Sequence, residues 1–390
     1  MSKNTNFLAH DNRYKAAGRV VLALTRTVFK WKFGFSYDKM PEIDGPCIYL
    51  ANHTTDFDFL FISHMIGKHS YIVGTENILR NKLLGKFLLF FFYPIFIVKG
   101  KLSLKVVADM TKVLKAGSDV MLFPEGNRCF NGVTEAIPPA TAKLIKAVNC
   151  NVVLLRIEGG YFTQPRFSRS LRKGKVHVSL SNIIKRDLVK STSVEDLTKL
   201  INDGLYEDAY ARQEAERIKY SGKALASGLE TTIYACPHCR QIGKLKSYDN
   251  VLKCECGYSL SYDEYGDLSD TAGKKTTIKE LVKFQEELLR EEMVKETHLM
   301  FCDTIDVMSI DDHKVVNTIS GLIEAYPDRL EFKGNDDIVV DFSHIEGVAI
   351  YKRNVITVNL LSGKQYEIRG NDSFNGLKYI NYYKEKEGKR

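Results

Sequence analysis

The sequence predicts an α/β fold for its first half and a β-rich fold with a closing helix for its last third. In residues 45–157, apolar strand-like runs alternate with helical patterns, which is typical of a sheet covered by helices. After residue 321, six short strand patterns follow one another and one helical pattern ends the chain. Two pairs of cysteines mark a short segment between these regions. With 390 residues, of which 44% are hydrophobic, the chain is long enough for two or three separate cores.

The amino-terminal 40 residues hold most of the positive charge. They carry eight Lys and Arg against two Asp, a net of +6, while the whole chain has a net charge of +8. Residues 12–33 form a helical pattern with an apolar and a basic side. The apolar side contains Ala17, Val20, Val21, Leu24, Val28 and Trp31, and the basic side contains Lys15, Arg19, Arg26 and Lys30. A helix packed on a core with a solvated basic face has the same pattern, but we interpret residues 1–40 as a membrane-associating region.

Residues 41–215 predict a mixed sheet covered by helices. The predicted strands are residues 47–51, 70–73, 95–98, 120–123, 152–157 and 176–180, and the predicted helices include residues 58–65, 103–116 and 193–205. The longest apolar run, residues 87–98, has twelve residues, whereas a helix that spans a bilayer needs about 20. The sequence therefore predicts no transmembrane segment.

Polar side chains follow two of the predicted strands at their carboxyl ends. Residues 52–58 follow the first strand and contain His53 and Asp58, five positions apart. Residues 123–128 follow the strand that starts at 120, and they read Phe-Pro-Glu-Gly-Asn-Arg. Ligands bind outside the carboxyl ends of strands in open α/β sheets, so we expect the two clusters to form one site.

These two motifs, in this order and spacing, resemble those of the glycerolipid acyltransferases, specifically the lysophosphatidic acid acyltransferase type. The resemblance covers residues 15–215. The sequence departs from the family pattern at Asn127 and Cys129, where Thr and Ser are usual, at Lys99, where the middle motif usually ends in Arg, and in residues 152–157, which lack the proline of the fourth motif. The resemblance implies transfer of a fatty acyl group from a thioester, acyl-CoA or acyl carrier protein, to the hydroxyl of lysophosphatidic acid.

The resemblance also implies the catalytic roles. His53 is the predicted general base, because imidazole titrates near neutral pH. Asp58 is predicted to hold the other ring nitrogen, although spacing alone leaves Asp56 as a competing carboxylate. The chain has no Gly-x-Ser-x-Gly elbow, so we expect direct attack by the acceptor rather than an acyl-enzyme intermediate. No catalytic metal is expected.

Four further residues are predicted to bind substrate. Arg128 is the predicted phosphate clamp, since a guanidinium pairs with two phosphate oxygens at once, and Lys99 would supply a second cation. Glu125 would hydrogen-bond the glycerol or orient Arg128. Gly126 permits a turn or a close backbone approach. Other acceptors, either another lysolipid or glycerol 3-phosphate, stay open at this point, as does a non-catalytic lipid-binding scaffold.

The cysteine pairs predict a metal site in residues 233–270, after a helical connector at 216–232. The pairs are Cys236 with Cys239 and, after fourteen intervening residues, Cys254 with Cys256. This spacing resembles a zinc ribbon, in which four thiolates close a tetrahedral shell around a structural zinc ion. Because the second pair is Cys-x-Cys, His238 is an alternative ligand.

Residues 275–390 predict a β-rich domain. The predicted elements are a helix at 278–296, strands at 321–326, 329–332, 338–342, 345–351, 355–360 and 365–368, and a closing helix at 372–383. Short strands followed by one helix resemble a pleckstrin-homology or GRAM-like module in pattern only.

The cysteine content also bears on the compartment. Eight cysteines without a secretory signal pattern predict a reduced, cytosolic protein. Together with the basic amino terminus, this predicts a peripheral protein on the inner face of the cell membrane, with anionic lipids as partners. A nucleic-acid binder built on the cysteine segment would leave His53, Asp58 and Arg128 unexplained, so we expect no nucleic acid.

Overall fold

The computed structural model describes residues 11–75, 82–97, 104–295, 299–311, 314–351 and 353–388. The chain divides into two compact units, Met1–Pro165 with Leu171–Ser221 and Arg166–Ser170 with Gly222–Arg390. Lys99, a predicted substrate-binding residue, lies outside the described residues.

The first unit is built of alternating strands and helices. In chain order these are α1 (Asp11–Phe33), β1 (Ser36–Tyr37), β2 (Cys47–Ala51), α2 (Asp58–Ile66), β3 (Ser70–Thr75), α3 (Lys82–Phe91), β4 (Ile95–Ile97), α4 (Leu104–Lys115), β5 (Asp119–Leu122), α5 (Pro139–Val148), β6 (Asn151–Glu158), α6 (Gly160–Thr163), β7 (His177–Ile184), α7 (Arg186–Ser191), α8 (Val194–Leu205) and α9 (Ala209–Glu216).

These strands form one mixed sheet in the order β1-β7-β6-β2-β5-β3-β4. The strands from β6 to β4 run parallel, β7 is antiparallel to β6, and β1 is parallel to β7. In the central strand β2, Ile48 and Leu50 pack into one apolar core and Tyr49 packs into another. Successive strand residues point to opposite faces, so both faces of the sheet are covered. The predicted α/β fold is confirmed.

Helix α1 has two apolar faces rather than the single one predicted. Val21, Phe29 and Phe33 are buried in a core of the first unit. A second set of apolar side chains is exposed: Val20 at 55%, Leu24 at 73%, Val28 at 54% and Trp31 at 68%. The pattern could not separate the two sets, because both recur at helical spacing. Every helix among the described residues is too short or too polar to cross a bilayer.

The second unit is dominated by antiparallel strands. Its elements are β8 (Leu245–Tyr248), β9 (Val251–Cys254), β10 (Ser259–Tyr262), β11 (Leu268–Ser269), β12 (Lys275–Thr276), α10 (Ile278–Val294), β13 (Phe301–Asp311), β14 (Lys314–Ala325), β15 (Arg329–Lys333), β16 (Ile338–Asp341), β17 (Ile345–Tyr351), β18 (Val355–Leu360), β19 (Gln365–Gly370) and α11 (Gly376–Lys386). Strands β8 to β12 form a small sheet, and the rest form a seven-stranded sheet in the order β16-β15-β14-β13-β19-β18-β17.

Several details after residue 215 differ from the prediction, among them the start of β14 at Lys314 rather than 321. Strand β13 was not predicted, because polar side chains at 303, 304 and 306 obscure its apolar positions. The closing helix α11 begins at Gly376 rather than 372, since the Asn375 side chain accepts the backbone N–H of Lys378 and caps the helix there. The helical connector predicted for residues 216–232 is wrong. Residues 217–228 contain no helix, and only a short 3₁₀ turn, Leu229–Thr231, follows them.

Candidate active site

The loop between β2 and α2 carries the predicted base. Its first residue, Asn52, is 1% exposed and is tied to the end of β6 by two hydrogen bonds. The Asn52 side-chain amide donates to the Ile157 carbonyl at 3.0 Å, and the Ile157 N–H donates to the Asn52 side-chain oxygen at 2.7 Å. The loop therefore leaves the sheet from a fixed point at the carboxyl end of two parallel strands.

His53 and Asp58 form a hydrogen-bonded pair. Nδ1 of His53 lies 2.8 Å from Oδ2 of Asp58. The His53 side chain is 27% exposed, whereas that of Asp58 is 1% exposed. The aromatic ring of Phe123 stacks on the imidazole with the ring centres 4.8 Å apart. The pair thus presents a solvent-accessible imidazole whose Nδ1 is held from behind by a buried carboxylate.

The buried carboxylate of Asp58 is held by several donors besides the imidazole. The backbone N–H groups of Thr54 and Thr55 donate to it at 2.5 and 2.9 Å, and the two threonine hydroxyls donate at 3.1 and 2.6 Å. Asp58 is also the first residue of α2, where the helix dipole favours a negative charge. All of these groups are donors, so the Asp58 carboxyl oxygens accept from each of them and from Nδ1–H of His53.

Glu125 supports the loop from the neighbouring strand end. Its carboxylate accepts the backbone N–H of His53 at 2.6 Å and that of Glu135 at 3.0 Å. Burial of the carboxyl raises its pKa well above the usual value of 4.5, although both N–H groups act in the opposite direction. Glu125 therefore fixes the backbone of the predicted base, which is a different contact from either sequence hypothesis. Gly126 has φ +71 and open space around its Cα, so it serves the turn and not a close approach.

Arg128 reaches across to the same loop. Its Nε donates to the Thr54 carbonyl at 3.0 Å, and its Nη1 lies 3.0 Å from Oδ1 of Asp56. Its Nη2 donates to the carbonyl of Gln164. The Arg128 side chain is 12% exposed and that of Asp56 is 64% exposed. The guanidinium is thus joined to the histidine loop, and the exposed member of its ion pair is the carboxylate.

Gln164 is a site residue that the sequence did not reveal. It follows the short helix α6, and it contacts Asp56 twice: its Nε2 donates to Oδ2 at 2.9 Å, and its Oε1 accepts the Asp56 backbone N–H at 2.9 Å. Phe123 and the Cys129 N–H, which donates to the His53 carbonyl at 2.9 Å, were also not predicted as contacts. A glutamine in a connection carries no spacing signal, so only coordinates could place it here.

The first unit therefore brings five predicted residues together: His53, Asp58, Glu125, Gly126 and Arg128. Between the two candidate carboxylates, Asp58 contacts the imidazole and Asp56 contacts Arg128. The geometry can orient an imidazole for proton transfer beside a guanidinium.

The predicted metal ligands converge in the second unit. The Sγ atoms of Cys236, Cys239, Cys254 and Cys256 all lie within 4.8 Å of one another. Two of these pairs are Cys236 with Cys256 at 3.9 Å and Cys239 with Cys254 at 3.7 Å. A tetrahedral zinc ion with Zn–S bonds of about 2.3 Å separates its sulfurs by about 3.8 Å, so the four thiols fit a metal ion. The His238 ring stacks on Tyr258 at 5.4 Å and is not needed to complete the set.

Comparison with known proteins finds a family that is similar to part of the first unit. Residues 35–158 match the model of the family described as Acyltransferase. Residues 35–158 are thus similar to the acyltransferase family, which agrees with the resemblance stated from the motifs.

Two solved structures are among those similar to this chain. The 1-acyl-sn-glycerophosphate (LPA) acyltransferase PlsC from Thermotoga maritima has 18% identity and a TM-score of 0.42, and the match covers 51% of this chain and 79% of that one. The C-terminal domain of an unknown protein from Leishmania infantum has 13% identity and a TM-score of 0.16, covering 22% of this chain and 83% of that one.

Proposed function

We propose that the protein is a 1-acylglycerol-3-phosphate O-acyltransferase, which moves a fatty acyl group from acyl-CoA or acyl carrier protein to the hydroxyl of lysophosphatidic acid and forms phosphatidic acid. The observation that carries this proposal is the His53–Asp58 pair at 2.8 Å, in a domain similar to the acyltransferase family. The accompanying Arg128, at the end of the neighbouring strand, supports a phosphorylated acceptor.

The reaction follows from the tautomer that Asp58 imposes. With Nδ1–H donated to Asp58, Nε2 of His53 carries the lone pair and accepts the proton of the acceptor hydroxyl. The hydroxyl oxygen bonds to the thioester carbonyl carbon as that proton leaves. The carbon–sulfur bond then breaks, and the imidazolium returns the proton to the thiolate, so an ester and a free thiol are formed. A thiol has a pKa of about 8.5, so it leaves without stronger acid assistance.

The test of this function is a panel of acceptors offered to the pure protein with one acyl-CoA, followed by mass spectrometry of the lipid products. We expect phosphatidic acid from lysophosphatidic acid as the dominant product. A dominant product from glycerol 3-phosphate or from another lysolipid would replace the proposed acceptor. If no member of the panel gives an acylated product, the proposal that the protein is an acyltransferase is refuted.

We also propose that α1 docks on a membrane surface, and that the protein is peripheral on the inner face of the cell membrane. The exposed apolar side chains of α1 form a stripe: Val20, Leu24, Val28 and Trp31. The cations Arg19, Arg26 and Lys30 are also exposed, on a separate part of the same helix surface. Such an arrangement places apolar groups in the acyl boundary and cations on anionic headgroups.

Adjacent helix positions provide a matched test of membrane docking. Leu24→Glu places a charge in the stripe, and Ala23→Glu places the same charge at an exposed neighbour outside it. We expect Leu24→Glu to weaken sedimentation with vesicles of phosphatidylglycerol and phosphatidylcholine about tenfold more than Ala23→Glu, since only the first removes an apolar anchor of ~1.5–3 kcal/mol. Equal losses in both variants would show that charge alone drives binding, and no binding by the unaltered protein would refute docking.

The four converging cysteines are proposed to hold one structural zinc ion. With four thiolates the shell is closed, so the ion would stabilise the small β8–β12 sheet and take no part in acyl transfer. Cys239→Ser removes a ligand, while Cys302→Ser alters an exposed cysteine in β13 as a control. We expect one zinc per chain in the control and loss of that zinc in Cys239→Ser, measured by elemental analysis. Full zinc content in Cys239→Ser, or no zinc in the unaltered protein, would contradict the site.

A further inference from the structure

The pairing of Arg128 with Asp56 bears on which acceptors the site selects. The cation proposed to receive the acceptor phosphate already has a carboxylate 3.0 Å from its Nη1. That carboxylate is 64% exposed, whereas the guanidinium side chain is 12% exposed. A phosphate that approaches Arg128 from solvent therefore meets a negative charge before it reaches the positive one.

Asp56 is fixed in this position from two sides. Gln164 donates to its second carboxylate oxygen at 2.9 Å and accepts its backbone N–H, also at 2.9 Å. The Gln164 carbonyl additionally accepts Nη2 of Arg128. Gln164 thus contacts both members of the ion pair. These hydrogen bonds fix the position of the Asp56 carboxylate, although it is exposed.

From this arrangement we propose that Asp56 is a specificity-determining residue, which makes the acceptor phosphate compete with a carboxylate for Arg128. This inference rests on the proposed function, in which Arg128 receives that phosphate. A phosphomonoester, with its charge between −1 and −2, is repelled by Asp56 more strongly than a phosphodiester with a charge of −1 or an uncharged glyceride. An acceptor whose headgroup also carries an ammonium group gains an attractive contact to Asp56. The loop therefore lowers the preference for lysophosphatidic acid that Arg128 alone would give.

The isosteric change Asp56→Asn tests the proposal, because asparagine keeps an oxygen for Arg128 and removes the charge. Asp44→Asn is the matched control: Asp44 is exposed at the opposite end of β2, so the net charge changes equally. We expect Asp56→Asn to lower KM for lysophosphatidic acid about three- to tenfold, a size typical of a partly exposed charge interaction. We expect KM for an uncharged monoacylglycerol to stay the same, and Asp44→Asn to shift neither.

A binding measurement separates this inference from the function on which it rests. Glycerol 3-phosphate is titrated into the full-length protein by calorimetry, without an acyl donor. Tighter binding by Asp56→Asn than by Asp44→Asn supports competition for Arg128, even where no acceptor is acylated and the proposed function fails. Unchanged or weaker binding, or an unchanged KM for lysophosphatidic acid in an active enzyme, overturns the proposal and leaves Asp56 as a residue that only positions Arg128.

Discussion

Two aspartates where the loop between β2 and α2 meets the helix lie in opposite environments. Asp58, at the helix end, is 1% exposed and is surrounded by hydrogen-bond donors that include His53. Asp56, two residues earlier, is 64% exposed and pairs with Arg128 and Gln164. One aspartate, Asp58, therefore contacts the imidazole, and the other, Asp56, contacts the guanidinium. Burial and the identity of the donors, and not residue type, decide which carboxylate can act with the base.

The largest effect is expected from altering the buried aspartate, Asp58. Asp58→Asn should lower kcat at least about 100-fold, because an amide cannot impose the Nδ1–H tautomer on His53 or stabilise its imidazolium. Asp119→Asn is the control for the cost of altering a buried aspartate, since Asp119 is 2% exposed and accepts the Cys47 N–H, away from the site. Steady-state kinetics of both variants check this. An equal loss in the control would assign the effect to folding rather than to the histidine.

The second largest effect is expected from altering Arg128, whose guanidinium pairs with the exposed aspartate, Asp56. Arg128→Lys keeps the charge but loses the fork that reaches Thr54, Asp56 and Gln164. We expect kcat/KM for lysophosphatidic acid to fall about 10- to 100-fold, and that for monoacylglycerol to fall less. In Arg156→Lys, the control, the altered arginine also contacts backbone carbonyls but lies in β6. An identical loss on charged and uncharged acceptors would contradict a phosphate clamp.

The smallest effect concerns the support beneath His53. Glu125→Gln places an amide donor against one of two backbone N–H groups, which should cost about 1–3 kcal/mol in the free energy of unfolding. Because the pKa of Glu125 is raised, its carboxyl group stays protonated to higher pH in the folded protein than in the unfolded chain. The stability that Glu125 contributes is therefore largest below pH 4.5 and declines as pH rises above it.

Urea unfolding of the unaltered protein and of Glu125→Gln at several pH values measures this dependence. The difference in unfolding free energy between the two proteins removes the contribution of the other titrating groups, because both proteins contain them. We expect the gap in unfolding free energy to narrow from pH 4.5 upward, and a gap that widens with pH would show that Glu125 is stabilised as an anion.

The sequence predicted the elements that depend on local pattern. Residues 47–51 and 355–360 were predicted as strands with the bounds that the structure has, since short apolar runs of this length are typical of buried strands. The helix predicted for residues 193–205 corresponds to α8, which Ser193 caps by accepting the Asp196 N–H with its side chain. The convergence of residues 52–58 with residues 123–128 followed from the rule on strand ends.

What the sequence could not predict depends on distant contacts. Gln164 lies 108 positions from Asp56, and nothing in the intervening pattern predicts their two hydrogen bonds. The role of Glu125 was open because a carboxylate can bind a ligand, an arginine or backbone N–H groups. In the structure Glu125 accepts two backbone N–H groups. The exposed face of α1 was predicted together with its buried face, since helical spacing reports apolar residues but not what covers them.

One measurement tests the central claim, that His53 is the general base of an acyl transfer. Phosphatidic acid formed from lysophosphatidic acid and an acyl-CoA is quantified by mass spectrometry for the unaltered protein and for His53→Ala, with circular dichroism as the check on folding. Loss of a general base lowers the rate by about 10²–10⁴-fold, so we predict at most about 1% of the unaltered rate in the folded variant. A folded His53→Ala that forms phosphatidic acid at the unaltered rate would contradict the account.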